Sequence, residues 1–212
     1  MKRISVKKMV TLAMLAAIAY LMVNLIRIPV VLFLKYEPKD VIITIGGFLF
    51  GPMAAFIVSG IVSLLEMVTI SETGIVGCIM NLISTCSFAC VAAFDYKKQH
   101  TLKGAITGLG LGSVLMVGTM LLWNWLITPL YMGVDRATVE GMLIPAFLPF
   151  NLLKAGLNSA LIIGLYKPLS SALRKVGLIE PHAKSSKIGV YLFAGALLIT
   201  CILLLLVFQG KL

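Results

Sequence analysis

Charge is what this sequence has least of. Only 12% of its 212 residues are Asp, Glu, Lys or Arg, about half the share of an ordinary soluble domain. By contrast, 60% belong to the set Ala, Val, Ile, Leu, Met, Phe, Trp, Tyr and Cys. At roughly 20 residues per spanning helix, the chain has room for about six or seven membrane crossings. A sizeable water-soluble or catalytic domain is thereby excluded. There are only 2 histidines, His100 and His182, and both lie outside the apolar runs. No H-E-x-x-H, G-x-S-x-G or paired acidic metal motif occurs, so the sequence gives no basis for intramembrane hydrolysis. The 4 cysteines, Cys78, Cys86, Cys90 and Cys201, sit in apolar runs without C-x-x-C spacing and read as small hydrophobes. Gly108 to Gly112 reads GLGLG, which is not the dinucleotide fingerprint. Gly210-Lys211 has no Ser or Thr after it, so the chain is not expected to hydrolyse ATP unaided. An A-x-A-like cleavage site is missing as well, so the first apolar span is expected to stay in the mature protein.

The charges that are present are mostly basic, 18 Lys and Arg against 8 Asp and Glu, for a net charge of +10. They do not gather on one face as nucleic-acid binding would require. Twelve fall in three segments: the N-terminus (Lys2, Arg3, Lys7, Lys8), the loop with Lys97, Lys98 and Lys103, and the stretch from Lys167 to Lys187. Five others, Arg27, Lys35, Lys39, Arg136 and Lys211, fall on the opposite side. By the positive-inside rule the twelve face the cytoplasm, giving a multi-pass cell-membrane protein with a cytoplasmic N-terminus.

The spans follow from the apolar runs. The first, about Val10 to Ile26, carries the small-residue pair Ala13 and Ala17. Such a pair suits close helix packing, within the bundle or against another subunit. A structured external loop, IPVVLFLKYEPKD, precedes a run of only about ten apolar residues, Val41 to Phe50, ended by Gly51-Pro52. That run is too short to cross alone and leaves an outward-facing depression above it. Met53 to Ile70 is the third helix and Ile75 to Phe94 the fourth. The fifth begins near Leu102 with Gly104, Gly108 and Gly112 at four-residue spacing, a helix-packing ridge. It ends in LLWNWLITPLYMG, whose aromatics suit an interface. The sixth holds Asn151, Lys154 and Asn158 at helical spacing. Ile188 to Phe208 is a seventh apolar run, which would place Lys211 outside. The expected fold is an all-α integral membrane protein with a six-helix bundle over residues 1–176. A basic cytoplasmic linker over 177–187 and an additional transmembrane helix over 188–208 complete it.

Ionisable and amide groups inside a membrane span mark functional sites by default. Asn151 and Lys154 share a helix face, which suggests either a ligand cavity or a structural ion pair, for example with Glu66. With Asn81, Asn124 and the loop from Lys35 to Asp40 they describe a ligand cavity open to the outside.

Together the blocks FLKYEPKD, IGGFLFGPMAAF, SLLEMVT, MNLISTCSFAC, NWLITPLYMG and IPAFLPFNLLKAGLNSAL resemble the riboflavin-binding S components of energy-coupling factor (ECF) transporters, the RibU family. The likeness covers about residues 8 to 175. The KYEPKD and GGFLFGP blocks are shared by S components of several specificities, whereas NWLITPLY and PFNLLKAGLN resemble the riboflavin branch. The resemblance implies a six-helix subunit that captures riboflavin from outside and reorients in the membrane to release it. Its partners would be the transmembrane coupling protein EcfT and the ATPases EcfA and EcfA′, which hydrolyse the ATP; the subunit itself would need no cofactor. The family's ring-recognising groups fall on Asn124, Asn151 and Lys154, whose amides and ammonium can match the alternating donors and acceptors of isoalloxazine. Leu34 and Tyr36 would flank the flat ring, and Asp40, Glu66 and Asn81 would meet the ribityl hydroxyls. Its Ala-x-x-x-Ala contact with the coupling subunit falls on Ala13 and Ala17. The seventh apolar run departs from the family's six helices. Rival readings are an S component for thiamine, folate or a pyridoxine-like ring, a structural membrane protein, and a stand-alone secondary carrier.

Overall fold

A computed structural model describes residues 6–175 and 188–210; the linker expected over 177–187 lies outside the described residues. Helix α1 (Val6–Leu25) leads into an antiparallel hairpin, β1 (Ile28–Val31) and β2 (Leu34–Tyr36). There follow α2 (Lys39–Phe50) and α3 (Pro52–Thr69), then α4 (Gly74–Thr85), joined to α5 (Val91–Gln99) by a π-helical turn at Cys86–Cys90. Next come α6 (Leu102–Met132) and α7 (Arg136–Met142), a second π-helical turn at Leu143–Phe147, α8 (Leu148–Lys175) and α9 (Ile188–Phe208). Among the described residues, six helical stretches are long and apolar enough to cross a membrane, and α2 is not one of them. Its 12 residues span only about 18 Å, against a hydrocarbon core of about 30 Å.

The bundle is patterned with small and polar side chains inside and large apolar ones outside. On α3 the buried face is Ala54, Ala55, Val58, Ser59, Val62, Ser63 and Glu66. Its outer face presents Met53, Phe56, Ile57, Ile61, Leu64, Leu65 and Val68. Lipid solvates large apolar groups as well as a protein core does, so close backbone approach through small residues decides the inner face. The same logic splits α1: Ala16 and Ala19 pack inward with Ile43, Ala55 and Val58, while Ala13 and Ala17 lie on the exposed face.

The glycine ridge of α6 seats on the backbone of the first π-helical turn and α5. A Cβ at Gly108 would stand 2.6 Å from the Ala92 carbonyl oxygen, and one at Gly112 would stand 2.5 Å from that of Phe88. Gly47 serves α2 in the same way, its added Cβ meeting Ala93 Cβ at 2.9 Å. Gly51, with φ of 93°, makes the corner between α2 and α3 in a conformation that L side chains rarely adopt.

The external loop contains strand pairing, which the all-α expectation did not include. Ile28 pairs with Tyr36, Pro29 with Lys35 and Val31 with Leu34, with an irregularity between Pro29 and Val31. The tip places Leu32 at φ 51°. Helix α9 packs along α8, and Cys201 and Leu205 join Val30, Leu34, Tyr36 and Leu153 in one apolar cluster. Past the helix end, Gln209 Nε2 donates to the Pro29 carbonyl at 3.1 Å. The end of α9 therefore lies at the hairpin end of the bundle. The start of α1 lies at the opposite end, where the Lys8 ammonium sits 5.9 Å from the Phe50 ring centre.

Candidate functional site

The short α2 leaves space beneath the hairpin, and α4, α6 and α8 supply its walls. The resulting cavity encloses about 60 Å³. Phe33, Leu34 and Phe150 with the flexible Met80 and Met120 form its apolar surface; Asn81, Ser84, Asn124, Asn151 and Lys154 supply polar groups. Arg27, Lys35, Glu37 and Glu72 stand at its rim. A second space of about 10 Å³ adjoins it and shares Phe33, Thr73 and Met80.

Two of the walls are shaped by the π-helical turns, which re-aim a helix face and recur at functional sites. The turn at Leu143–Phe147 contains Pro145, whose missing N–H removes a helical donor. It directly precedes Asn151 and Lys154. The turn at Cys86–Cys90 follows Ser84 and Thr85, which contact the charged floor.

Both asparagines are tied to their own helices. Asn124 Nδ2 donates to Met120 O at 2.7 Å, and Asn124 Oδ1 accepts from Thr128 Oγ1 at 2.9 Å. Asn151 Nδ2 donates to Phe147 O at 2.8 Å. A carboxamide has two N–H donors, so each keeps a second one while its rotamer is held.

The floor is a charged network of alternating sign. Lys154 Nζ lies 3.0 Å from Asp40 Oδ2 and donates to Ser84 Oγ at 3.3 Å. Asp40 also accepts from Thr85 Oγ1 at 2.6 Å and from Asn158 Nδ2 at 3.4 Å. Asn158 Oδ1 in turn accepts from the Tyr36 hydroxyl at 3.1 Å. Burial, with Asp40 and then Cys201 adding to it, pushes that hydroxyl above its ordinary pKa, so Tyr36 stays a donor. Lys39, 1% exposed, bridges Glu66 at 2.6 Å and Glu37 at 2.9 Å. Glu66 Oε2 accepts from Asn81 Nδ2 at 3.0 Å. Glu37 also pairs with Arg27 at 2.7 Å, and Arg27 caps the Ile70 carbonyl at 2.9 Å. Burial alone would raise the Glu37 carboxyl, but the Lys39 ammonium, with Lys154 and Arg27 helping, holds it below the usual carboxylate range.

Of the residues singled out from sequence, Asn124, Asn151, Lys154, Leu34 and Asn81 line the cavity. Tyr36, Asp40 and Glu66 do not line it. They are buried behind the lining, Tyr36 on Asn158, Asp40 on Lys154, and Glu66 on Lys39 and Asn81. The ion partner of Lys154 is thus Asp40 and not Glu66, the example the sequence offered for a structural ion pair. Lys39, which the charge distribution assigns to the external side, is the most buried cation described. The available signal was that α2 has almost no polar face: nine of its residues from Lys39 to Phe48 are buried. A helix apolar all round sits in the middle of a bundle, so a charge in its first turn is buried too.

Comparison with known proteins agrees with this architecture. The family described as "ECF transporter, substrate-specific component" matches residues 7–166. The riboflavin transporter RibU of Staphylococcus aureus is 29% identical over 179 residues, covering 80% of this chain and 94% of that protein. The riboflavin transporter FmnP of Bacillus subtilis is 30% identical over 161 residues, covering 70% of this chain and 84% of that one. Among solved structures, one described as the S component of a bacterial ECF transporter superposes with a TM-score of 0.68 at 29% identity. It covers 79% of this chain and 98% of its own. Helix α9 lies beyond the family match. The chain is a multi-pass membrane protein and belongs to the substrate-specific components of ECF transporters.

Proposed function

We propose that this protein is the riboflavin-capturing S subunit of an ECF importer. The observation that carries the reading is the convergence of Asn124 from α6 with Asn151 and Lys154 from α8 on one cavity with an aromatic and aliphatic wall. A flavin ring offers a flat apolar body and a uracil-like edge, and these groups complement both. Pockets for small molecules typically enclose about 300–1,000 Å³, so a flavin enters a space of about 60 Å³ only as the lining moves apart. Met80, Met120 and Phe33 are placed to do this, and Phe33 and Met80 also border the adjoining space.

The subunit works with EcfT and the ATPases EcfA and EcfA′, which supply the ATP hydrolysis; it needs no cofactor of its own. The N-terminus faces the cytoplasm and the hairpin faces outward, in keeping with the distribution of basic residues. The outward Ala13 and Ala17 of α1 offer the close approach that coupling helices need, and lipid covers the remaining apolar exterior.

The test is the visible absorption spectrum of detergent-purified protein washed without vitamin, followed by titration with riboflavin. A flavin spectrum near one per chain, and Asn151→Ala weakening riboflavin binding more than about tenfold, are expected. A colourless protein that also fails to bind added riboflavin would overturn the reading. Replacing Ala13 and Ala17 by Leu should leave binding intact and abolish uptake in cells; undiminished uptake would remove that face from the interface.

A further inference from the structure

Lys154 lines the cavity, but its charge is already answered from below. Asp40 lies in the first turn of α2, is 0% exposed and does not line the cavity. Both of its oxygens are held, Oδ1 by Thr85 and Oδ2 by Lys154 and Asn158. The carboxylate plane is therefore fixed by contacts from two different elements, α4 and α8. A Lys ammonium has three donors. Here one is taken by Asp40 and one by Ser84, which leaves a third donor on a residue that lines the cavity. The paired set is balanced in charge: the buried Lys39 and Lys154 with the partly exposed Arg27 at the rim, against the buried Glu37, Asp40 and Glu66.

We infer that Asp40 is the positioning residue of this site: it holds Lys154 by their ion pair and makes the ammonium a directed hydrogen-bond donor for an uncharged acceptor. The inference builds on the proposed ligand reading and narrows it. With Asp40 in place, a ligand carboxylate or phosphate at Lys154 would bring a surplus negative charge against buried carboxylates whose charge is already matched, which is costly. A neutral ring carbonyl or ring nitrogen adds an acceptor without a charge. Asp40 thereby favours uncharged heteroaromatic edges over acidic ligands at the deep end of the cavity, although it never touches the ligand.

The test is a double-mutant cycle on the full chain in detergent, using Asp40→Asn, Lys154→Met and both together, with riboflavin binding read by quenching of flavin fluorescence. Each single change should weaken binding at least tenfold. The double variant should be no more than about threefold weaker than Lys154→Met alone, because Asp40 acts through Lys154. Losses that multiply, or wild-type affinity in Asp40→Asn, would overturn the inference. Thermal unfolding without ligand provides a separate readout. Lys154→Met leaves a buried carboxylate without its cation, so adding Asp40→Asn should raise the unfolding temperature; a further fall would count against the pairing. This arm needs no ligand, so failure of wild type to bind riboflavin would overturn the proposed function while the pairing is still read from stability. If Asp40→Asn does not fold, Thr85→Val loosens the carboxylate while keeping it. It should weaken binding threefold or more in wild type and not at all in Lys154→Met. Equal losses in both backgrounds would refute the positioning role.

Discussion

Replacing Lys39 by Met should be among the most damaging single changes available in this protein. The Lys39 ammonium lies 2.6 Å from Glu66 and 2.9 Å from Glu37, and the exposed fractions of the three side chains are 1%, 3% and 8%. Methionine fills the volume but removes the cation, so two largely buried carboxylates lose the charge between them. Removing one partner of a buried ion pair costs about 3–5 kcal/mol. For a chain of this length each kcal/mol moves the unfolding midpoint by about 2–4 °C, so a fall of roughly 6–20 °C is expected. The effect should be largely electrostatic, because removing both charges of a buried pair is far less costly than removing one. Adding Glu66→Gln to Lys39→Met should therefore recover at least half of the loss, with Glu37 still paired to Arg27. The assay is loss of helical circular dichroism on heating in detergent, without ligand. A Lys39→Met variant melting within about 2 °C of wild type, or one that Glu66→Gln does not rescue, would refute the reasoning.

Gly108→Ala forces a methyl group to within 2.6 Å of the Ala92 carbonyl and should cost about 1–3 kcal/mol, whereas Gly110→Ala, with nothing within 4 Å, should be silent. Melting temperatures of the two variants give a matched comparison, and equal melting would show that the ridge is not a contact. Acid should loosen the hairpin. Glu37 has a folded pKa below its unfolded value of 4.5, so its stabilisation is complete above that value and is lost as the pH falls through the folded pKa. Wild type should accordingly lose more stability than Glu37→Gln between pH 7 and pH 3.5, and parallel losses would contradict the assignment. Removing residues 188–212 strips Cys201, Leu205 and Gln209 from the hairpin and from α8. Riboflavin should then dissociate at least threefold faster in stopped-flow chase, and an unchanged rate would show that α9 does not brace the hairpin.

Much of the bundle is legible in the sequence, because in lipid the burial pattern reduces to residue size. The spacing of Gly104, Gly108 and Gly112 identifies a contact ridge, and the structure seats two of the three against backbone. The helix over Ile188–Phe208 and the shortness of the run before Gly51 follow equally from apolar length. The hairpin was hidden for a physical reason. Its two-residue tip is Leu32-Phe33, with none of the Asn or Gly that such turns favour, and Leu32 takes a positive φ at a cost of about 1–2 kcal/mol. Side-chain partnership is a different matter. Asp40 and Lys154 are 114 positions apart, and only the crossing of α2 and α8 selects Asp40 over Glu66 as the counter-ion. The burial of Lys39 is hidden in the same way, since counting charges by loop assumes that a residue flanking a short helix reaches water.

Helix α9 has a practical corollary for anyone handling this protein. Its far end sits beside Pro29 while the start of α1 sits beside Phe50, so the start of α1 and the end of α9 lie at opposite ends of the bundle. With the hairpin outward, an epitope appended to the C-terminus should be reached by antibody on intact cells. A fluorescent fusion that matures only in the cytoplasm should stay dark at that position and glow at the N-terminus. On the proposed reading, an affinity handle placed there would hang on the vitamin-capturing face, clear of any coupling machinery working from within.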